Sequence, residues 1–94
     1  MQPSKNIMQS FLSISYSLSI LEEIILKNTI LHSGITRGSL AELIEHHHGI
    51  DKQTILDSIM SLYAAGLITI EYGQLSPAEG LKIEHGVARI GGIA

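Results

Sequence analysis

Cysteine is absent, which removes disulfides, thiol catalysis and cysteine-based zinc sites together. Tryptophan is absent as well, and the aromatic residues are only Phe11, Tyr16, Tyr63 and Tyr72, so any core has to be aliphatic. Positive charge is scarce. Lys5, Lys27, Arg37, Lys52, Lys82 and Arg89 are the six basic residues against nine acidic ones, a formal charge of −3. Affinity for duplex DNA comes largely from neutralised phosphates, so this balance matches a DNA-binding surface poorly. No apolar run is long enough to span a bilayer, and Met1-Gln2-Pro3-Ser4-Lys5-Asn6 lacks the charged-then-apolar layout of a secretory signal. A soluble, cytoplasmic chain with no membrane partner is expected. A phosphate-binding glycine loop is missing too, because Gly86, Gly91 and Gly92 follow no strand into a helix at the required spacing.

What the chain does have is aliphatic mass: 45% of its 94 residues are apolar. That length suits one domain with one core and leaves no room for a separate catalytic module. So large an apolar share leaves more hydrophobic surface than a small monomer hides, which favours a homodimer or a permanent partner.

Three Ser-x-x-Glu segments punctuate the sequence: Ser19-Ile20-Leu21-Glu22, Ser39-Leu40-Ala41-Glu42 and Ser76-Pro77-Ala78-Glu79. In this pattern the serine caps free amides at a helix start and the glutamate reaches back to the serine's own amide. The first predicts a helix from Ser19 to about His32, stopped near Gly34, with Ile20, Ile24 and Leu31 on its core face and Leu21 beside them. Leu26 and Ile30 then fall on the far side, either under an N-terminal arm or in a subunit interface. The second predicts a short helix from Ser39 to about His47, ended by Gly49, with Leu40, Leu43 and Ile44 inward. A third helix starts at Asp51, whose carboxylate caps it, places Ile55, Ile59 and Leu62 on one stripe, and ends at Ala64-Ala65-Gly66. After it, Leu67-Ile68-Thr69-Ile70-Glu71-Tyr72 is rich in β-branched residues and reads as a strand closed by Gly73.

Two segments admit alternatives. Beyond Gly73, either Gln74-Leu75-Ser76 is a return strand followed by a fourth helix from Pro77, or residues 73–80 form a hairpin loop whose return strand is Leu81-Lys82-Ile83-Glu84-His85. Proline at a first helical position favours the former; Gly80 and Gly86 weaken a helix there. Before Ser19, Leu12, Ile14, Tyr16 and Leu18 alternate with serines at the period of a strand, while Ile14, Leu18, Leu21 and Ile25 also suit a long helix. Residues 1–18 form an arm in either case, a candidate dimerisation element; residues 19–90 form the domain and 91–94 a loose tail.

The stretch Gly38-Ser39-Leu40-Ala41-Glu42-Leu43-Ile44, then His48-Gly49-Ile50-Asp51-Lys52-Gln53-Thr54-Ile55, then Ile59-Met60-Ser61-Leu62-Tyr63-Ala64-Ala65-Gly66-Leu67-Ile68 resembles the winged helix-turn-helix superfamily. The Leu-Ala pair lets the second helix lie close to the third, Gly49 makes the turn, Asp51 caps the recognition helix and Ala-Gly-Leu-Ile leads into the wing. The resemblance covers about half the chain. It implies an α+β, mostly α fold, three helices plus a short β-hairpin wing, here with an extra N-terminal arm. It also implies a transcriptional regulator that binds duplex DNA as a homodimer and needs no cofactor, with the third helix in the major groove. Carried to this sequence, the contacting set is Lys52, Gln53, Thr54, Ser58 and Ser61, with Arg37 ahead of the second helix. Lys52 would meet a phosphate and Gln53 an adenine edge.

Three departures point instead to a protein-facing surface. Asp57 puts a carboxylate where such regulators carry a donor, Leu56 and Met60 widen the apolar arc of the third helix, and Glu71-Tyr72-Gly73-Gln74 at the wing holds no Lys or Arg. A protein-protein interaction module, a complex subunit or a small inhibitor using Leu56, Asp57 and Met60, is therefore the alternative, with Leu26 and Ile30 as further interface residues. Fold alone does not decide, because one fold hosts many functions. His46-His47-His48 does not make a metal site: neighbours on a helix point apart and cannot converge on one ion as residues four apart can. Their plainer role is to complement the negative end of the second helix, His46 pairing with Glu42. Glu22 and Glu23 are adjacent carboxylates, but capping explains the first without any acid or base role, so no enzyme is expected.

Overall fold

A computed structural model describes residues 14–91. Eight elements follow one another: β1 (Ile14–Ser17), α1 (Ile20–Leu31), α2 (Arg37–His48), α3 (Lys52–Ala64), β2 (Ile68–Glu71), β3 (Gln74–Pro77), β4 (Leu81–Glu84) and β5 (Val87–Ile90). The fold is α+β and mostly helical. Of the arm, β1 takes the strand reading; residues 1–13 and 92–94, which hold the rest of the arm and most of the tail, lie outside the described residues.

The caps explain where each helix starts. Ser19 accepts from the Glu22 amide while the Glu22 carboxylate accepts from the Ser19 amide at 2.8 Å, a complete capping box. Asp51 caps α3 through the Thr54 amide. Gly49 ends α2 at φ 68°, a left-handed conformation that glycine adopts without steric cost. The second helix corrects its expected start. Thr36, not Ser39, is the N-cap, its hydroxyl accepting from the Ser39 amide at 3.2 Å, and the helix gains two residues at that end. Ser76 caps nothing and lies in β3, so no fourth helix exists among the described residues. Gln74–Pro77 pairs back on β2 as the first layout requires, whereas Leu81–Glu84 pairs with β5, a strand neither layout contained.

Two antiparallel sheets result. One is β2–β3, flanked by a bridge between Thr36 and Gln74. The backbone hydrogen bonds Gly34 N–H to Leu75 O and Leu75 N–H to Ile35 O, both 2.7 Å, hold the α1–α2 connection along β3. The other sheet has the order β1–β5–β4. Both hairpins turn on two residues with positive φ, Tyr72-Gly73 (53° and 77°) and His85-Gly86 (53° and 72°). That pair of signs suits the right-handed twist of the flanking strands.

The core joins Ile25 and Leu26 of α1, Leu40, Ala41 and Ile44 of α2, Ile55, Ile59 and Leu62 of α3, then Leu67, Ile68, Leu75 and Ala88. The face expected for α1 was right only in part: Leu21 and Ile24 are partly buried against the core, but its ends are not. Ile20 is 82% and Leu31 76% exposed, while Leu26 is fully buried beside Ile25 and Thr29. Thr29 is tolerated there because its hydroxyl donates to the Ile25 carbonyl at 2.8 Å, leaving no buried group unpaired.

Glu22 has a second task. Tyr16 of β1 donates its phenolic proton to Glu22 Oε2 at 3.0 Å, tying the three-stranded sheet to the start of α1. That bond, then the carboxylate's charge, then slight desolvation hold the phenol above the ordinary tyrosine value. A pKa raised on folding means the contribution is complete below the unfolded value, about pH 10, and is lost as pH rises through the folded one. A spectrophotometric titration should therefore place Tyr16, isolated by difference against Tyr16→Phe, above the ordinary range. Glu22→Ala, which removes the acceptor and the charge together, should return it there, and coincident curves for wild type and Glu22→Ala would refute the coupling.

Candidate functional site

The exposed side of α3 is the surface to which the sequence assigns contacts. Ile55, Ile59 and Leu62 turn inward, so Gln53, Asp57, Met60 and Ala64, spaced four, three and four residues apart, succeed one another along the opposite side. All four are exposed, as are Thr54 and Ser61. Lys52 and Ser58 are half-buried on the flanks, and Leu56 packs against the core, so it contributes only an edge to any contact surface. Leu26 is excluded from an interface by its complete burial, whereas Ile30 is 46% exposed.

The donors on this side are already engaged by acidic groups of the same chain. Lys52 Nζ lies 3.1 Å from Glu42 Oε2, Gln53 Nε2 donates to Asp57 Oδ1 at 2.9 Å, and the Thr54 hydroxyl donates to the capping Asp51 at 3.3 Å. Glu42 is thus spoken for by Lys52, and the expected His46–Glu42 pair is not formed. His46 instead meets His47 edge to face, ring centroids 5.4 Å apart. Exposed contacts of this kind stabilise by at most about 1 kcal/mol. Their weight is electrostatic: Glu42, Asp51 and Asp57 put negative charge beside the donors of this side. Arg37 is the exception, donating to the Met60 thioether at 3.2 Å.

No family model, curated protein or solved structure matches this chain.

On the β2–β3 hairpin Glu71, Tyr72, Gly73 and Gln74 are all exposed, and Tyr72 is wholly so. Two features escaped the sequence reading. Lys82 and Arg89 are direct cross-strand partners on β4 and β5, both exposed. Like charges placed so oppose pairing, and the signal was invisible without β5. A cleft of about 400 Å³ between the ends of α1 and α2 is lined by Asn28, His32, Leu43, Ile44, His47 and His48. Among the described residues no group of three or more His, Asp or Glu is arranged to hold a metal ion, and no helix is long and apolar enough to cross a membrane.

Proposed function

We propose that the chain is a winged helix-turn-helix module that docks on another protein through the outward side of α3 and the tip of the β2–β3 hairpin, and that it carries out no chemistry. One observation carries this: Lys52, Gln53 and Thr54, the donors that would meet DNA, are each turned to a carboxylate of the chain itself. A phosphate backbone laid on α3 would have to break those contacts and face Glu42, Asp51 and Asp57. A protein partner with apolar groups for Met60 and Ala64, and donors for Asp57, meets these carboxylates as hydrogen-bond acceptors, where a phosphate meets them as like charge.

Duplex DNA bound by a homodimeric, cytoplasmic regulator is the second reading. Arg37 favours it, being exposed and, among the described residues, paired with no carboxylate. Fluorescence anisotropy on random duplex DNA across a salt series separates the two. Protein docking predicts no binding at low salt, and Met60→Asp then abolishes capture of a defined partner while circular dichroism stays unchanged. Tight binding that falls steeply with salt, with a slope flattened by Lys52→Ala and Arg37→Ala together, would establish DNA instead.

A further inference from the structure

Helix α1 carries an apolar stripe on the side opposite its most buried residues. With Ile25, Leu26 and Thr29 buried, the opposite side carries Ile20, Ile24, Lys27 and Leu31, spaced four, three and four residues apart, the repeat of a helix seam; Ile24 is partly buried against the core and shows only its outer edge, while the other three are exposed. Ile20 and Leu31 at its ends are mostly exposed, and Ile30 flanks it half-exposed. Lys27 is its one charge, held 2.7 Å from Glu23 on the same helix. Three exposed aliphatic side chains on one helix, Ile20, Ile30 and Leu31, are costly for an isolated small domain.

We propose that this stripe is a two-fold interface with a second copy of the chain, the two α1 helices running antiparallel. An isologous contact requires the surface to be complementary to itself, and the stripe meets that condition in one orientation. Antiparallel pairing sets Ile20 against the partner's Leu31 and Ile24 against the partner's Lys27, so both ends close on aliphatic contacts. At the centre each Lys27 lays its methylene stem on the partner's Ile24 and brings its ammonium beside the partner's Glu23. Parallel pairing would stack Lys27 on its own copy, and like charges facing each other in a seam are repelled. The charge pattern therefore selects both the occupant and its direction. This interface uses none of the α3 residues, so it stands or falls independently of the docking reading.

Sedimentation equilibrium of the full chain over a dilution series should give twice the 10.2 kDa chain mass. Ile20→Glu or Leu31→Glu should weaken the dimer at least about a hundredfold, with an unchanged far-ultraviolet spectrum because neither side chain belongs to the core. Lys27→Glu should weaken it about tenfold, and the exchange Glu23→Lys with Lys27→Glu should restore it, since the exchange keeps every opposite-charge contact. A monomer at all concentrations, a dimer indifferent to Leu31→Glu, or failure of the exchange to rescue Lys27→Glu would overturn the proposal. A monomer whose melting temperature falls on Leu31→Glu would overturn it too, because the chain would then be covering the stripe itself.

Discussion

Leu26→Ala should cost about 3 kcal/mol of unfolding free energy, the middle of the range for truncating a fully buried leucine. The side chain is completely enclosed where α1 meets the rest of the core, so the deletion forfeits both its transfer energy and the contacts lining the cavity left behind. A domain of this length holds roughly 5–14 kcal/mol in total, so the loss is a large fraction. It should lower Tm by roughly 12–24 °C. Ile30→Ala, one turn on and half-exposed, should cost less than about 1 kcal/mol in protein dilute enough to keep copies apart. Denaturant titrations of both variants test whether burial on this side of α1 ends between these two neighbours, Leu26 fully buried and Ile30 46% exposed. Equal losses would mean that α1 is rotated from the orientation described.

Tyr72→Asn should have the opposite sign. Tyr72 occupies the first position of a two-residue hairpin turn at φ 53°, where the Cβ crowds the following carbonyl and a bulky residue is disfavoured by about 1–2 kcal/mol. Asparagine tolerates that conformation and is the preferred residue there when glycine follows, as Gly73 does. A gain of about 1 kcal/mol, seen as a rise in Tm of roughly 4–8 °C, is expected. The tyrosine ring offsets none of the strain within the chain, since it is wholly exposed. A strained aromatic with no internal contact suits a residue that is buried by something else, so under the proposed protein docking the stabilised variant should also bind more weakly. No change in Tm would remove the strain argument, and a stable variant with undiminished binding would remove the ring from the contact surface.

What could be read in the sequence was what is decided locally. Ser19 with Glu22, Asp51 with Thr54 and the left-handed Gly49 are determined within a turn of chain, and each appears where expected. The start of α2 was drawn to Ser39 because Glu42 completes a box pattern; Thr36 caps it with no glutamate three residues on, so only the hydroxyl marks it. The core side of α1 was not legible because aliphatic residues surround that helix, and contacts with α2, α3 and β3 choose among them. Thr29 was hidden for a related reason: its hydroxyl is satisfied by the helix backbone, which periodicity does not record. In the β4–β5 hairpin, His85-Gly86 turns the chain without the asparagine or aspartate that flags such a turn. For the α3 surface, residue types suggested donors, but their pairing with Glu42, Asp57 and Asp51 depends on neighbours that only the fold brings together.

The pairing of β1 with β5 sets an order of events. Ser17 lies opposite Val87, so their contact closes a loop of about 70 residues, whereas every helix and the other strand pairs involve near neighbours in sequence. Closing a long loop costs entropy that nothing returns until the ends meet, and such contacts form late when local ones are available. The three helices and both two-residue hairpins can assemble without it. The strand before α1 then docks last on a β4–β5 ribbon that, with two strands, is marginal by itself. It also releases first: amide protons of β1 and β5 should exchange before those of α3, and the chain should shed that sheet while its helical body persists.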